Sequence, residues 1–199
     1  MSLYKTLKAN GKTLEIYHDE YPDNPRTTWD NMGTMICFHG RYDLGDKHEY
    51  NSNDYDNWDE MENAIIKNED VAIILPLYLY DHSGITISTS PFGCRWDSGQ
   101  VGFIIVSRET LRREYGVIRI TKKVIEKATK VLLGEVETYD QYLTGDVYGY
   151  KLFNIVKCDL GHEHKEEIDS CWGFYGDNFE ENGLFDNVGK EFLSKDLVD

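Results

Sequence analysis

The sequence predicts an α+β fold: a single domain, residues 1–199, with a central mixed or antiparallel sheet flanked by two to four helices. Three observations lead there. Val71–Tyr80 and Gln100–Ser107 are the most apolar runs in the chain, with the length of buried strands rather than of long helices. Helical spacing of apolar residues appears in two other stretches, around Trp58–Ile66 and Val124–Leu143. Finally, 199 residues that are 40% apolar can bury a core without disulfides or metals. No repeat, low-complexity tract or linker divides the chain, so one domain is expected.

In chain order, Lys12–His18 alternates Leu14, Ile16 and His18 against Thr13, Glu15 and Tyr17, as a half-buried strand does. The Pro-, Asn- and Asp-rich segment 19–33 predicts a loop, and Thr34–His39 a second strand. A long polar segment follows, and from Asp54 the residues Trp58, Met61, Ile65 and Ile66 predict a helix to about Asn68, with acidic residues at its positive end. Val71–Tyr80, apolar on both faces, predicts a central strand. Ile85–Thr89 and Gln100–Ser107 are further strands. Ser107 caps a short helix that Gly116 stops, and Thr121 caps the longest helix, which ends at Thr144-Gly145-Asp146. Val147–Lys157 is a strand, residues 158–170 an acidic loop, Cys171–Tyr175 a partner strand and Asp186–Val198 a terminal helix.

The net charge is −15. Phosphate recognition needs clustered Lys and Arg, so direct nucleic-acid binding and anionic membranes are excluded as the main partners, while basic protein surfaces and divalent cations fit. One segment runs against the excess: Arg108, Arg112, Arg113, Arg119, Lys122, Lys123, Lys127 and Lys130 face only Glu109, Glu114 and Glu126. The lysines open the long helix and the acids Glu135, Glu137 and Asp140 close it, an order opposed to the helix dipole. Cys37, Cys94, Cys158 and Cys171 form no CxxC pair, no stretch reads as a signal peptide, and the longest apolar run is too short to cross a bilayer. Free thiols in a reducing cytoplasm are expected.

Three constellations carry candidate chemistry. His39, Asp43, Asp46 and His48, with Asp81 and His82 added in space, supply the ligand types of a divalent transition-metal site, although their spacing follows no metal motif. Cys158, His162, His164 and Cys171 supply zinc-ligand types but lack paired cysteines. Cys94, His82 and Asp97 are the residue types of a thiol nucleophile, its base and an orienting carboxylate. No P-loop, GxGxxG, GxSxG or HExxH occurs, so no cofactor is expected beyond a divalent metal under the first constellation.

The strings LPLYLYDHSG (residues 75–84), CRWDSGQVGF (94–103) and YDQYLTGDVYGY (139–150) resemble a family of proteins encoded by bacteriophages and mobile elements, chiefly of low-GC Gram-positive bacteria. The resemblance spans about residues 29–175. It implies a biological setting and carries over no activity, cofactor or catalytic residue. In that setting, acidic proteins bind host factors, and antirestriction and anti-CRISPR proteins present carboxylates in place of DNA phosphates. The leading expectation is therefore a non-enzymatic accessory protein that binds a host nucleic-acid-binding or defence protein. Its expected contacts are Asp54, Asp56, Asp59 and Glu60, then Glu163, Glu166 and Glu167, with Tyr55 and Trp58 as aromatic anchors. The alternatives are a metal-dependent hydrolase built on the His/Asp set and a phage structural component.

Overall fold

The computed structural model describes residues 1–192. Strands β1 (Leu3–Ala9) and β2 (Lys12–His18) are followed by the short helix α1 (Pro25–Thr28), β3 (Thr34–Cys37) and α2 (Trp58–Asn68). Then come β4 (Val71–Asp81), β5 (Ile85–Ser88), β6 (Ser98–Ser107), α3 (Arg108–Tyr115) and α4 (Lys122–Thr144). Strands β7 (Val147–Lys157) and β8 (Glu163–Tyr175) precede the short helix α5 (Leu184–Val188). The fold is α+β, and its strands divide between two antiparallel four-stranded sheets, β3-β6-β4-β5 and β1-β2-β7-β8. The chain forms two compact units, one of Asn24–Thr144 and one of Met1–Asp23 together with the chain from Gly145 onward. No helix among the described residues is long and apolar enough to cross a membrane.

In the Asn24–Thr144 unit, β4 and β6 are central and apolar on both faces because both faces are covered. On one side, Ala128, Leu132, Val136 and Tyr139 of α4 pack against Ile73, Leu77, Leu79, Ile104 and Val106. On the other, Met61 and Ile65 of α2 pack against Ile36, Val71, Phe103 and Ile105. Gly102 permits the close β3–β6 approach: a Cβ there would lie 1.9 Å from the Ile36 carbonyl oxygen. The caps act as expected. The Ser107 hydroxyl accepts from the Thr110 N–H at 3.1 Å, and Gly116 turns left-handed at φ 59° to end α3.

An ionic knot that the sequence did not announce closes this unit. The Arg26 side chain is 1% exposed. Its Nε donates to Asp46 Oδ1 at 3.0 Å, its Nη1 to Glu135 Oε2 at 2.9 Å and its Nη2 to the Gly33 carbonyl at 2.7 Å. Asp46 also accepts from the Met35 N–H, and Glu135 from the Met32 N–H, both at 2.8 Å. Burial alone would lower the Arg26 pKa, but the two carboxylates outweigh it and hold the guanidinium charged.

In the other unit, one sheet face carries the core. Leu7, Leu14, Ile16, Tyr148, Tyr150, Leu152 and Phe174 pack with Phe179, Leu184, Val188 and Phe192. Strand β1, absent from the sequence reading, is an edge strand joined to β2 by Asn10-Gly11, both at positive φ (49° and 76°) as a tight hairpin turn requires. The expected acidic loop over 158–170 is a loop only to about His162. From Glu163 the chain is already strand β8, and its acids sit beside the lysines of β7, with Lys157–Glu163 and Lys151–Glu167 ion pairs each at 3.2 Å. The expected terminal helix is instead α5 and a 3-10 turn over Lys190–Phe192, separated by Gly189 at φ 108°. Its remainder, residues 193–198, lies outside the described residues.

Candidate functional site

The β4–β6 pair ends where β4 reaches Asp81 and β6 begins at Ser98. The pairing of Tyr80 with Ser98 and the Asp81 N–H bond to the Asp97 carbonyl at 2.8 Å bring Asp81 and Asp97 side by side. A tight turn follows β4, with the His82 N–H bonded to the Gly84 carbonyl at 3.0 Å and Ser83 at φ 59°. From β3, the Phe38 N–H bonds to the Val101 carbonyl at 2.7 Å and directs His39 and Arg41 to the same end. These side chains enclose a cleft of about 340 Å³ lined by His39, Arg41, Asp81, Trp96, Asp97 and Val101.

Arg41 forms an ion pair with Asp81. The His39 ring stacks on Tyr42 with centroids 4.9 Å apart. Its Nδ1 accepts from the Arg41 and Tyr42 N–H groups, each at 3.3 Å, so the ring proton resides on Nε2, 3.9 Å from Asp81 Oδ2. Next to this pair, one oxygen of Asp97 serves two groups. The Cys94 thiol donates to Oδ2 at 3.6 Å, and His82 Nδ1 lies 3.3 Å from the same atom. Tyr80 stacks on His82 with centroids 6.0 Å apart. Trp96, at the rim, is 95% exposed.

The structure thus brings Cys94, His82 and Asp97 together, with the thiol and the imidazole both held against the same carboxylate oxygen, Asp97 Oδ2. The cleft lining carries a guanidinium, two carboxylates, one imidazole and an exposed indole, and the second imidazole, His82, lies beside it on Asp97.

The six residues of the proposed metal set fall into separate environments. His39 and Asp81 meet in the cleft, His82 turns to Asp97, and Asp43 is exposed. Asp46 is engaged by Arg26. His48 Nε2 donates to the Cys37 carbonyl at 3.0 Å. No group of three or more His, Cys, Asp or Glu among the described residues is disposed to hold a metal ion. The second constellation also separates. Cys158 and His162 close the β7–β8 turn, with the Cys158 N–H bonded to the His162 carbonyl at 3.0 Å, whereas Cys171 lies far along β8, opposite Tyr150. All four cysteines are free thiols.

Around the start of α2, Asp54, Asp56 and Asp59 are exposed. Glu60 has a local role as well: its N–H donates to the Asn57 side chain at 2.9 Å, and its carboxylate accepts from the Asp56 N–H at 2.7 Å, a reciprocal helix cap. Tyr55 and Trp58, expected as surface anchors, turn inward. They pack on the core under α2, Trp58 meeting the Phe103 ring edge-on at 5.8 Å. On β8, Glu163 and Glu167 are paired with lysines and Glu166 is exposed.

Arg41 is the cleft residue that sequence reasoning missed; its one signal is a cation in an otherwise acidic loop, too weak to identify its partner 40 residues away. Compared with protein-family models, curated proteins and solved structures, the chain matches none of them.

Proposed function

We propose that the chain is a non-enzymatic accessory protein of a phage or mobile element that binds a host protein through carboxylates facing a basic surface. The observation that carries this reading is the state of Asp54, Asp56 and Asp59. They are exposed, and among the described residues none enters an ion pair, unlike Glu163 and Glu167. Unneutralised carboxylates attract a basic partner at long range and lose that attraction in salt. The aromatic contribution falls to the exposed Trp96 rather than to Tyr55 and Trp58. In its sharpest form the protein is a DNA mimic that inhibits a host defence enzyme.

The test uses the immobilised chain and heparin-retained, DNA-binding proteins of the host. A partner retained at low salt should be displaced by duplex DNA. Its affinity should fall about tenfold or more when Asp54, Asp56 and Asp59 are replaced together by Lys. A partner that binds the triple variant as well as the parent chain, or that duplex DNA leaves in place, refutes the DNA-mimic reading.

A further inference from the structure

The sheet β1-β2-β7-β8 has a second face, opposite its core. Strand alternation puts Thr6 and Lys8 of β1, Thr13 and Glu15 of β2, Ile155 of β7 and Glu163 and Lys165 of β8 on it. Between the β1–β2 hairpin and β8 these residues border a cavity of about 640 Å³. Its existence has a local cause. The Ile155 N–H bonds to the Gly11 carbonyl at 3.0 Å, so the residue beside Ile155 across the ladder has no side chain.

Two groups in this trough lack partners. Thr13 is 1% exposed, and its hydroxyl is buried with no hydrogen-bond partner. A buried hydroxyl left unpaired is destabilising, and proteins rarely retain one without a use for it. Lys8 lies directly opposite Thr13 in the β1–β2 register, so their Cβ atoms are neighbours. Lys8 is exposed and enters no ion pair among the described residues. The other charges of the trough are compensated: Glu15 is bonded by Lys165 and Tyr17, and Glu163 is paired with Lys157. What remains is the Lys8 cation and the buried Thr13 hydroxyl, with the polar side chains of Thr6, Asn10 and His164 around them, beside the apolar side chains of Ile155 and Ala9.

We infer that this trough binds a small organic oxyanion, its charged oxygens received by the Lys8 ammonium and the Thr13 hydroxyl and its apolar body resting on Ile155. The site is independent of the acidic surface around α2.

Phenyl phosphate and benzoate serve as probes, titrated into the full chain and followed by backbone amide NMR. At least one should give saturable shifts centred on Lys8, Gly11, Thr13 and Ile155. Thr13→Val keeps the shape and removes the hydroxyl, and Lys8→Gln removes the charge; each should weaken binding about tenfold or more. Without ligand, Thr13→Val should melt at or above the temperature of the parent chain, because it deletes an unsatisfied polar group. The inference is overturned if neither probe shifts those amides at millimolar concentration or if Thr13→Val binds like the parent chain. A lower melting temperature for ligand-free Thr13→Val would also overturn it, since the hydroxyl would then already have a partner.

Discussion

Each compact unit contains a cation paired with acid, and the two differ chiefly in how far the cation is open to water. In the Asn24–Thr144 unit, Arg26 is buried between Asp46 and Glu135, and every acceptor around it is fixed. In the other unit, Lys165 bridges to Glu15 while 46% exposed, and lies 5.4 Å from the centre of the Phe153 ring. The same residue chemistry therefore does two different things. Arg26 ties together the loops on either side of β3 and the helix α4, segments 20 and 109 residues apart. Its removal would leave two acids without their countercharge and the Gly33 carbonyl without its side-chain donor. Lys165 decorates a sheet already joined by its backbone, and water can replace it.

The largest effect should follow from breaking the buried network. Arg26→Ala should cost about 3–5 kcal/mol, because Asp46 and Glu135 would remain as uncompensated charges in a poorly hydrated place. Arg26→Lys should recover little, since an ammonium cannot reproduce the planar fork that reaches both carboxylates and the Gly33 carbonyl. Lys165→Ala should cost about 0–1 kcal/mol. Urea denaturation of the three variants decides the matter. Equal losses for Arg26→Ala and Lys165→Ala would remove the distinction between the two networks.

A second contrast concerns how each sheet uses a glycine for close packing. At Gly102 a Cβ would meet backbone, the Ile36 carbonyl oxygen, at 1.9 Å; at Gly149 it would meet the Trp172 ring at 2.0 Å. Backbone in a paired strand cannot give way, whereas an edge-strand side chain can swing aside. Gly102→Ala should therefore cost about 3 kcal/mol or more and Gly149→Ala about 1–2 kcal/mol. Thermal melting ranks them, and near-ultraviolet circular dichroism should change for Gly149→Ala as Trp172 leaves its place.

These contrasts also show what the sequence made legible. The run from β6 through α3 and α4 to β7 could be read nearly to the residue, because Ser107, Gly116 and Thr121 are caps whose chemistry acts locally. Strand β1 and the first half of β8 escaped because they are edge strands. Their exposed lysines and glutamates look like loop composition until a neighbouring strand supplies the opposite charge, as Lys157 does for Glu163. The same limit applied to the cleft. His82, Cys94 and Asp97 could be grouped by residue type, but Arg41 and Asp81 meet only through the pairing of β3 with β6 and β6 with β4. Trp58 misled for a different reason: its acidic neighbours suggested a surface anchor, although its helical spacing already placed it with Met61 and Ile65 on the core side of α2.

Thiol chemistry gives a finer comparison. Burial pushes the Cys37 thiol up to about 12, so its thiolate is scarce at neutral pH and its access is closed. Cys171 is exposed on β8. In a thiol–disulfide exchange assay Cys171 should react first and Cys37 only on the timescale of unfolding. Labelling followed by peptide mass spectrometry assigns each rate, and fast labelling of Cys37 in the folded chain would show that the core beneath α4 opens locally.

The smallest effect, and the most specific to the exposed network, is its response to pH. Burial pushes the Glu15 carboxyl up, but hydrogen bonds from Lys165 and Tyr17 and the charge of Lys165 outweigh it and leave Glu15 below its ordinary value. The Tyr17 phenol is pushed up to about 12, first by its hydrogen bond to Glu15. The signs follow. Glu15 contributes stability that is present above its unfolded pKa and lost as the pH falls through its lower folded value. Tyr17 contributes stability that is present below its unfolded value and lost as the pH rises toward about 12. Each contribution should be modest, about 1 kcal/mol, because Lys165, the cation of this network, is 46% exposed. Glu15→Gln removes the carboxylate from both, so it should flatten the acid limb of the stability–pH curve and return the Tyr17 titration toward that of an ordinary tyrosine. Tyr17→Phe should flatten only the alkaline limb and leave most of the acid limb, which depends on Lys165. If Glu15→Gln leaves the Tyr17 titration where it was, the two groups are not coupled, and the exposed network reduces to the Glu15–Lys165 ion pair alone.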